Sequence, residues 1–197
     1  MSIRWSDFVL QVQGELSTGR RGYLNLDESF AKERDLTKAI VSGLRRLFDV
    51  SYPGSDSPRT KIHHHVTARQ GDDPEDHRAW KAAMPDKWIL VHGVRFVPDI
   101  LIRPTLNPVT EVLPIEIKLV QKLSASQAVA TAIGQCFAYS TRHPRSIVFV
   151  GVQRGLMRGK FGLTNLSAQS GDEATLCRKL EENGICLIFR EVGVSPG

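Results

Sequence analysis

The sequence predicts a single α/β domain in which a central mixed β-sheet is flanked by helices. Two observations lead to this prediction: apolar residues recur at helical spacing in the longer segments, and short β-rich runs lie between them. Along the chain these segments follow the order helix, three strands, helix, strand, helix, strand. The 197 residues fit one domain with extensions. We expect its core at about residues 27–152, an insertion at 51–93 and a C-terminal appendix at 153–197.

The composition excludes several classes of protein. Lys and Arg number 26 against 21 Asp and Glu, a net charge of +5, which suits a polyanionic partner. The three cysteines, Cys136, Cys177 and Cys186, are widely spaced, so they predict neither a disulfide framework nor a CxxC…CxxC zinc site. The longest apolar run, Ile147 to Val152, is far too short to cross a bilayer, and the N-terminus has no signal-peptide pattern. We therefore expect a cytoplasmic protein with no membrane partner.

The sequence predicts three long helices, which alternate with the strands, and a short N-terminal helix capped by Ser6. The first long helix covers residues 27–48. Its apolar side chains share one face: Phe30, Leu36, Ile40, Leu44 and Leu47. The second begins at Ser124, with the capping-box pattern Ser124-x-x-Gln127, and ends before Pro144. The third covers residues 173–183, and Gly184 ends it.

Strands are predicted at 61–69, 94–102, 113–120, 147–152 and 185–189, and residues 88–91 are interpreted as the lead into the second of them. The runs 94–102 and 113–120 are separated by a loop with two prolines, so we expect adjacent antiparallel strands. The wholly apolar run 147–152 is typical of a strand buried on both faces. The acidic stretch 71–86 is interpreted as a loop with a short helix.

The run 113–120 places an acid beside a base. Because successive side chains of a strand point to opposite faces, Ile115, Ile117 and Leu119 share one side while Glu116 and Lys118 project together on the other. This pairing is an unusual feature of an otherwise apolar strand.

Asp99, directly after Pro98 in the preceding predicted strand, supplies a second carboxylate across the hairpin. Opposed Cβ atoms of paired strands lie about 5 Å apart, so Asp99 and Glu116 repel each other unless a positive charge lies between them. A hard divalent ion such as Mg²⁺ or Mn²⁺ resolves that repulsion. Such an ion activates water and neutralises charge developing on a phosphodiester, and Lys118 can orient the water or stabilise the phosphorus centre.

The pattern Pro98-Asp99, a loop, then Glu116-Ile117-Lys118 resembles the PD-(D/E)xK nuclease superfamily, which has the restriction-endonuclease-like fold. Members of that superfamily share a core of helix, three strands, helix, strand, the order predicted here. Gln135-Cys-Phe-Ala-Tyr139 on the second helix also resembles the Gln-x-x-x-Tyr motif of its RecB-like branch.

Many members also carry an acid on the first core helix. Glu33 lies three residues before Leu36 and seven before Ile40, so we expect it to face the core with the apolar stripe, where an unpartnered carboxylate is expensive. Glu28 is the second choice, because its register is displaced toward solvent.

The resemblance implies a metal-dependent nuclease that hydrolyses phosphodiester bonds, in DNA by preference, with Mg²⁺ or Mn²⁺ as cofactor. The implied metal ligands are Asp99, Glu116, the carbonyl of Ile117 and Glu33. Lys118 is implied to be catalytic, and Gln135 and Tyr139 to position the substrate or the lysine. Restriction, repair, recombination and defence are the settings that fit.

A long cationic segment is the predicted nucleic-acid interface. From Ile117 to Gly171 the chain has no Asp or Glu. Besides Lys118, its basic residues are Lys122, Arg142, Arg145, Arg154, Arg158 and Lys160. A one-signed surface of this kind suits phosphate contacts.

Other interpretations stay open from the sequence. One alternative is a scaffold or nucleic-acid-binding subunit that has the nuclease-like fold but does not cleave phosphodiester bonds. A different metal enzyme would use His63 and His65, which share one face of a predicted strand. The repeat Gly151-x-x-x-Gly155-x-x-x-Gly159 is interpreted as a flexible basic loop. Pairing as a homodimer or with a partner subunit is also left open.

Overall fold

The computed structural model describes residues 4–19, 22–51, 60–64, 89–104, 111–121, 126–154, 156 and 171–193. Its helices are α1 (Trp5–Thr18), α2 (Glu33–Ser51), α3 (Ser126–Ser140) and α4 (Asp172–Glu182). Its strands are β1 (Thr60–His64), β2 (Ile89–Val91), β3 (Val94–Phe96), β4 (Ile100–Pro104), β5 (Leu113–Val120), β6 (Ser146–Gln153) and β7 (Ile185–Val192). Within these ranges, no helix has the length and apolar character needed to cross a bilayer.

The central sheet is mixed, as predicted. Its strand order is β1-β4-β5-β6-β7. β4 pairs antiparallel with β1 and with β5, whereas β6 pairs parallel with β5 and with β7. β2 and β3 form a separate two-stranded hairpin.

Helices cover both faces of the sheet. On β6, Ile147 and Phe149 face the layer that contains α1 and α2, while Val148 and Val150 face the layer that contains α3. All of β6 except Gln153 is buried, which confirms the prediction of a strand buried on both sides.

The helix boundaries differ from those that the periodicity predicts. α2 begins at Glu33, so Phe30 precedes it although Phe30 packs against the same core. In α1, Ser6 lies inside the first turn, and the N-cap is Arg4, which makes no side-chain capping bond. Gly14 is inside this helix, which ends at Thr18 and has Gly19, with φ 58°, as its C-cap. Burial of one face of α1 in the core outweighs the low helix propensity of Gly14.

The run 94–102, predicted as one strand, is two strands. Val97, Pro98 and Asp99 separate β3 from β4, because proline has no N–H for a strand ladder. The predicted strand at 113–120 is confirmed as β5. The last predicted strand extends past residue 189 to Val192 and pairs with β6, so the predicted appendix contributes to the central sheet.

Gly151 lies in β6 rather than in a loop. A Cβ at this position would lie 2.7 Å from Leu36 Cδ2 and 3.3 Å from the Val192 methyl groups. Glycine therefore lets α2 approach the sheet closely. Gly155 and Gly159 lie outside the described residues, as do Ser124 and the acidic stretch 71–86.

Candidate active site

Three carboxylates converge on the ammonium group of Lys118. Its Nζ lies 3.0 Å from Glu116 Oε1, 3.3 Å from Glu33 Oε1 and 3.9 Å from Asp99 Oδ2. These side chains come from β5, from the start of α2 and from the residue before β4. The structure thus brings together four of the side chains that the sequence singled out.

Strand geometry explains the position of Glu116, Lys118 and Asp99. Ile115 and Ile117 are buried against the α1 and α2 layer, so Glu116 and Lys118 project from the opposite face. Ile100 pairs with Ile115, which places Asp99 beside the next residues of β5. Asp99 Oδ2 accepts the N–H of Ile117 at 2.7 Å, and this bond fixes the carboxylate at the end of the β4–β5 pairing.

Glu33 reaches the cluster from the first turn of α2. Its side chain is 42% exposed, so the expectation that it is buried with the apolar stripe is wrong. As the first residue of α2 it lies where the helix emerges from the core, and its Oε2 accepts the N–H of Leu119 at 3.4 Å. Glu28 is exposed and bonds Asn25 instead, at 3.4 Å. Of the two candidate acids, Glu33 is the one that contacts Lys118.

Gln121 is a positioning residue that the sequence analysis missed. It directly follows β5, and its Nε2 donates to the carbonyls of Phe30 at 2.7 Å and Ala31 at 3.2 Å. These bonds tie the entry of α2 to the end of β5, which holds Glu33 near Lys118. A polar residue directly after a buried strand was the available signal.

Tyr139 closes the cluster from α3. It is 1% exposed, and its hydroxyl donates to Glu116 Oε2 at 3.0 Å. Tyr139 therefore positions the carboxylate of Glu116, whereas the resemblance implied that it positions the substrate or Lys118. Gln135 lies one turn earlier and is half-buried, and it makes no hydrogen bond to the described residues of the cluster.

Burial and neighbouring charges shift the pKa values of Asp99, Glu116, Lys118 and Tyr139. Burial, followed by repulsion from Glu116, raises the pKa of Asp99 well above its ordinary value. Burial likewise raises the pKa of Glu116. For Lys118, burial lowers the pKa, but attraction by Asp99, Glu116 and Glu33 outweighs it and the net shift is upward. Burial and the neighbouring Glu116 raise the pKa of the Tyr139 hydroxyl.

The donor set suits a hard divalent cation. With all three carboxylates ionised and Lys118 protonated, the cluster carries two excess negative charges. Its donors are carboxylate oxygens, the ligands that Mg²⁺ and Mn²⁺ prefer. In the described part of the chain, however, no three His, Cys, Asp or Glu side chains form a ready metal cage. The Lys118 ammonium lies among the carboxylates instead.

The described arginines of the cationic segment do not form one continuous basic surface. Arg142 and Arg145 precede β6, and Arg154 follows it. An eight-residue strand spans roughly 26 Å, so these side chains lie at opposite ends of the sheet. Arg154 Nη2 also pairs with Asp27 Oδ1 at 2.7 Å.

The remaining predicted contact residues lie outside the described ranges: Lys122, Arg158, Lys160 and His65. His63 is in β1, opposite Leu101.

No protein-family model, curated protein or solved structure matches this chain. The fold and the side-chain cluster are therefore the basis for assigning a function.

Proposed function

We propose that this protein is a metal-dependent nuclease that hydrolyses phosphodiester bonds in DNA. The observation that carries the proposal is the convergence of Asp99, Glu116 and Glu33 on Lys118, with two of the carboxylates largely buried. Buried carboxylates that repel one another destabilise a fold, and such arrangements are concentrated at functional sites.

The order and pairing of the elements support a restriction-endonuclease-like core. Such a core needs a helix, three antiparallel strands, a helix and a further parallel strand. α2, then β1, β4 and β5, then α3 and β6 provide that order, with β5 and β6 parallel. The β2–β3 hairpin is then an insertion between the first two core strands.

Asp99 and Glu116 would hold a divalent cation, together with the Ile117 carbonyl and Glu33. When bound, such an ion lowers the pKa of a coordinated water and offsets negative charge on the phosphate. Asp99 is fixed for this role by the Ile117 N–H, and Glu116 by the Tyr139 hydroxyl.

Lys118 supplies positive charge to the reacting phosphate. Its pKa is raised, so the ammonium stays protonated at neutral pH and acts as an electrostatic stabiliser rather than as a base. Its flexible four-carbon stem lets the charge move between the carboxylates and a substrate.

Cleavage assays test the proposal. Supercoiled, linear duplex and single-stranded DNA, together with RNA, would be incubated with Mg²⁺, Mn²⁺ or EDTA. We expect metal-dependent cutting of DNA that is lost in Asp99→Asn and in Lys118→Met. The matched controls are Asp7→Asn on exposed α1 surface and Lys179→Met on exposed α4 surface, which remove the same charges elsewhere. Activity that survives in both site variants would overturn the assignment.

A second candidate function is a nuclease-like nucleic-acid-binding or scaffold subunit without turnover. The observation in its favour is that Lys118 already neutralises part of the carboxylate cluster without metal. A folded protein that binds DNA and neither binds Mn²⁺ nor cuts any substrate would favour this function.

A further inference from the structure

The oxygens that a metal would need are already engaged. Lys118 Nζ donates to Glu116 Oε1 and Glu33 Oε1, and it lies 3.9 Å from Asp99 Oδ2. Tyr139 occupies Glu116 Oε2, and the Leu119 N–H occupies Glu33 Oε2. Five of the six carboxylate oxygens thus face a donor within the protein.

Three of these donors are fixed and one can move. The backbone N–H groups of Ile117 and Leu119 belong to β5 and its pairings, and Tyr139 is fully buried in α3. Lys118 is the mobile donor: its side chain is 14% exposed, and its ammonium is at the end of a flexible stem. A cation that enters the cluster must therefore displace the ammonium.

We propose that Lys118 is an internal competitor for the metal, held among the carboxylates without metal and released toward the substrate when a divalent cation binds. This inference rests on the proposed function and adds a regulatory coupling to it. In the metal-free protein the site would therefore lack two things that catalysis needs. The cation is absent, and the ammonium of Lys118 is held by the carboxylates instead of being available to phosphate. Binding of the cation completes the ligand set and frees the lysine in the same step.

The physical basis is repulsion between two cations that share one set of ligands. A unit charge about 4 Å from a divalent ion opposes its binding strongly even at the effective dielectric constant of a protein surface. Movement of the lysine relieves this repulsion but gives up its own bonds to Glu116 and Glu33. Removal of the ammonium should therefore increase metal affinity although it removes catalysis.

Mn²⁺ binding, measured by calorimetry and by electron paramagnetic resonance, tests the inference without relying on activity. Lys118→Met should bind Mn²⁺ at least about tenfold more tightly than wild type. Lys118→Arg, which keeps the charge, should bind more weakly than Lys118→Met. Lys179→Met should match wild type, because Lys179 is exposed on α4. Equal or weaker binding by Lys118→Met would overturn the inference.

A second measurement covers the case in which Lys118→Met does not fold. In wild-type protein labelled with ¹⁵N at the lysine side chains, the Lys118 signal, assigned by its loss in Lys118→Arg, should shift with the Mg²⁺ binding isotherm. An unchanged Lys118 signal at saturating Mg²⁺ would contradict displacement. If wild-type protein binds no divalent ion and cuts no DNA, the proposed function fails; if it does both and Lys118 is unaffected, only this inference fails.

Discussion

At the scale of single residues, the proposed function would make the cluster a compromise between stability and chemistry. Asp99 and Glu116 are removed from water, which disfavours their charged forms, and Lys118 offsets only part of the resulting repulsion. Functional sites commonly retain such costs because the same charges are needed for binding. Neutral replacements should therefore stabilise the metal-free fold.

Asp99→Asn should increase the free energy of unfolding of the metal-free protein by about 1 kcal/mol. The amide oxygen can still accept the Ile117 N–H, while the repulsion from Glu116 is lost. Urea denaturation in EDTA measures the change, with Asp7→Asn as the control. A destabilised Asp99→Asn would mean that the ion pair with Lys118 outweighs burial.

The stability difference between wild type and Asp99→Asn should depend on pH. A carboxyl group whose pKa is raised in the folded state contributes stability below its unfolded pKa and loses it as pH rises through the folded pKa. The two proteins should therefore be similarly stable near pH 4 and diverge as pH rises toward 7, with wild type the less stable. Denaturation across this range in EDTA checks the sign; a constant difference would show that Asp99 does not titrate with folding.

Tyr139→Phe should lower kcat with little change in KM, because it leaves Glu116 Oε2 without its hydroxyl donor. It should also destabilise the fold by about 1–3 kcal/mol, the usual effect of an unsatisfied buried acceptor. Steady-state kinetics and denaturation measure the two effects. Tyr23→Phe removes a hydroxyl outside the cluster and should change neither kcat nor KM.

At the scale of elements, the contact between α2 and the sheet sets the position of Glu33. Leu36, one turn after Glu33, is fully buried and packs over Gly151 of β6. Gln121 fixes the start of the same helix. An increase in the spacing between helix and sheet should therefore affect both stability and the carboxylate cluster.

Gly151→Ala should destabilise the protein by about 1–3 kcal/mol, because the new methyl group would overlap the Leu36 side chain. Combination with Leu36→Ala should cost less than the sum of the two single changes, since the smaller residue makes room. Gly134→Ala is the control: nothing lies within 4 Å of its added Cβ on α3, so it should be neutral or stabilising. Additive costs in the double variant would show that the contact is not made in solution.

At the scale of the whole molecule, metal binding and folding should be linked. A ligand that binds only the folded state stabilises it, by about 2.7 kcal/mol at a free concentration roughly 100 times Kd. Mn²⁺ should therefore raise the Tm of wild-type protein in a concentration-dependent manner and leave the Tm of Asp99→Asn nearly unchanged. Calorimetric scans with Mn²⁺, and with Ca²⁺ as a second hard cation, measure this; an equal shift in both proteins would place the metal elsewhere.

Much of the fold follows from local patterns in the chain. Alternation in β5 predicted which side chains face the core and that Glu116 and Lys118 share the other face. The wholly apolar run predicted the buried strand β6. These predictions succeeded because the period of a strand depends only on the backbone, so neighbouring residues decide it.

The sequence by itself determined the order of the main helices and of the central-sheet strands, the mixed sheet and the pairing of an acid with a base on β5. Only the tertiary structure decided that Glu33 rather than Glu28 contacts Lys118, and that Gln121 fixes the start of α2. Each of these depends on how elements distant in sequence pack and pair. Periodicity fixes the face of a side chain on its own element, but only the packing between elements brings side chains into contact.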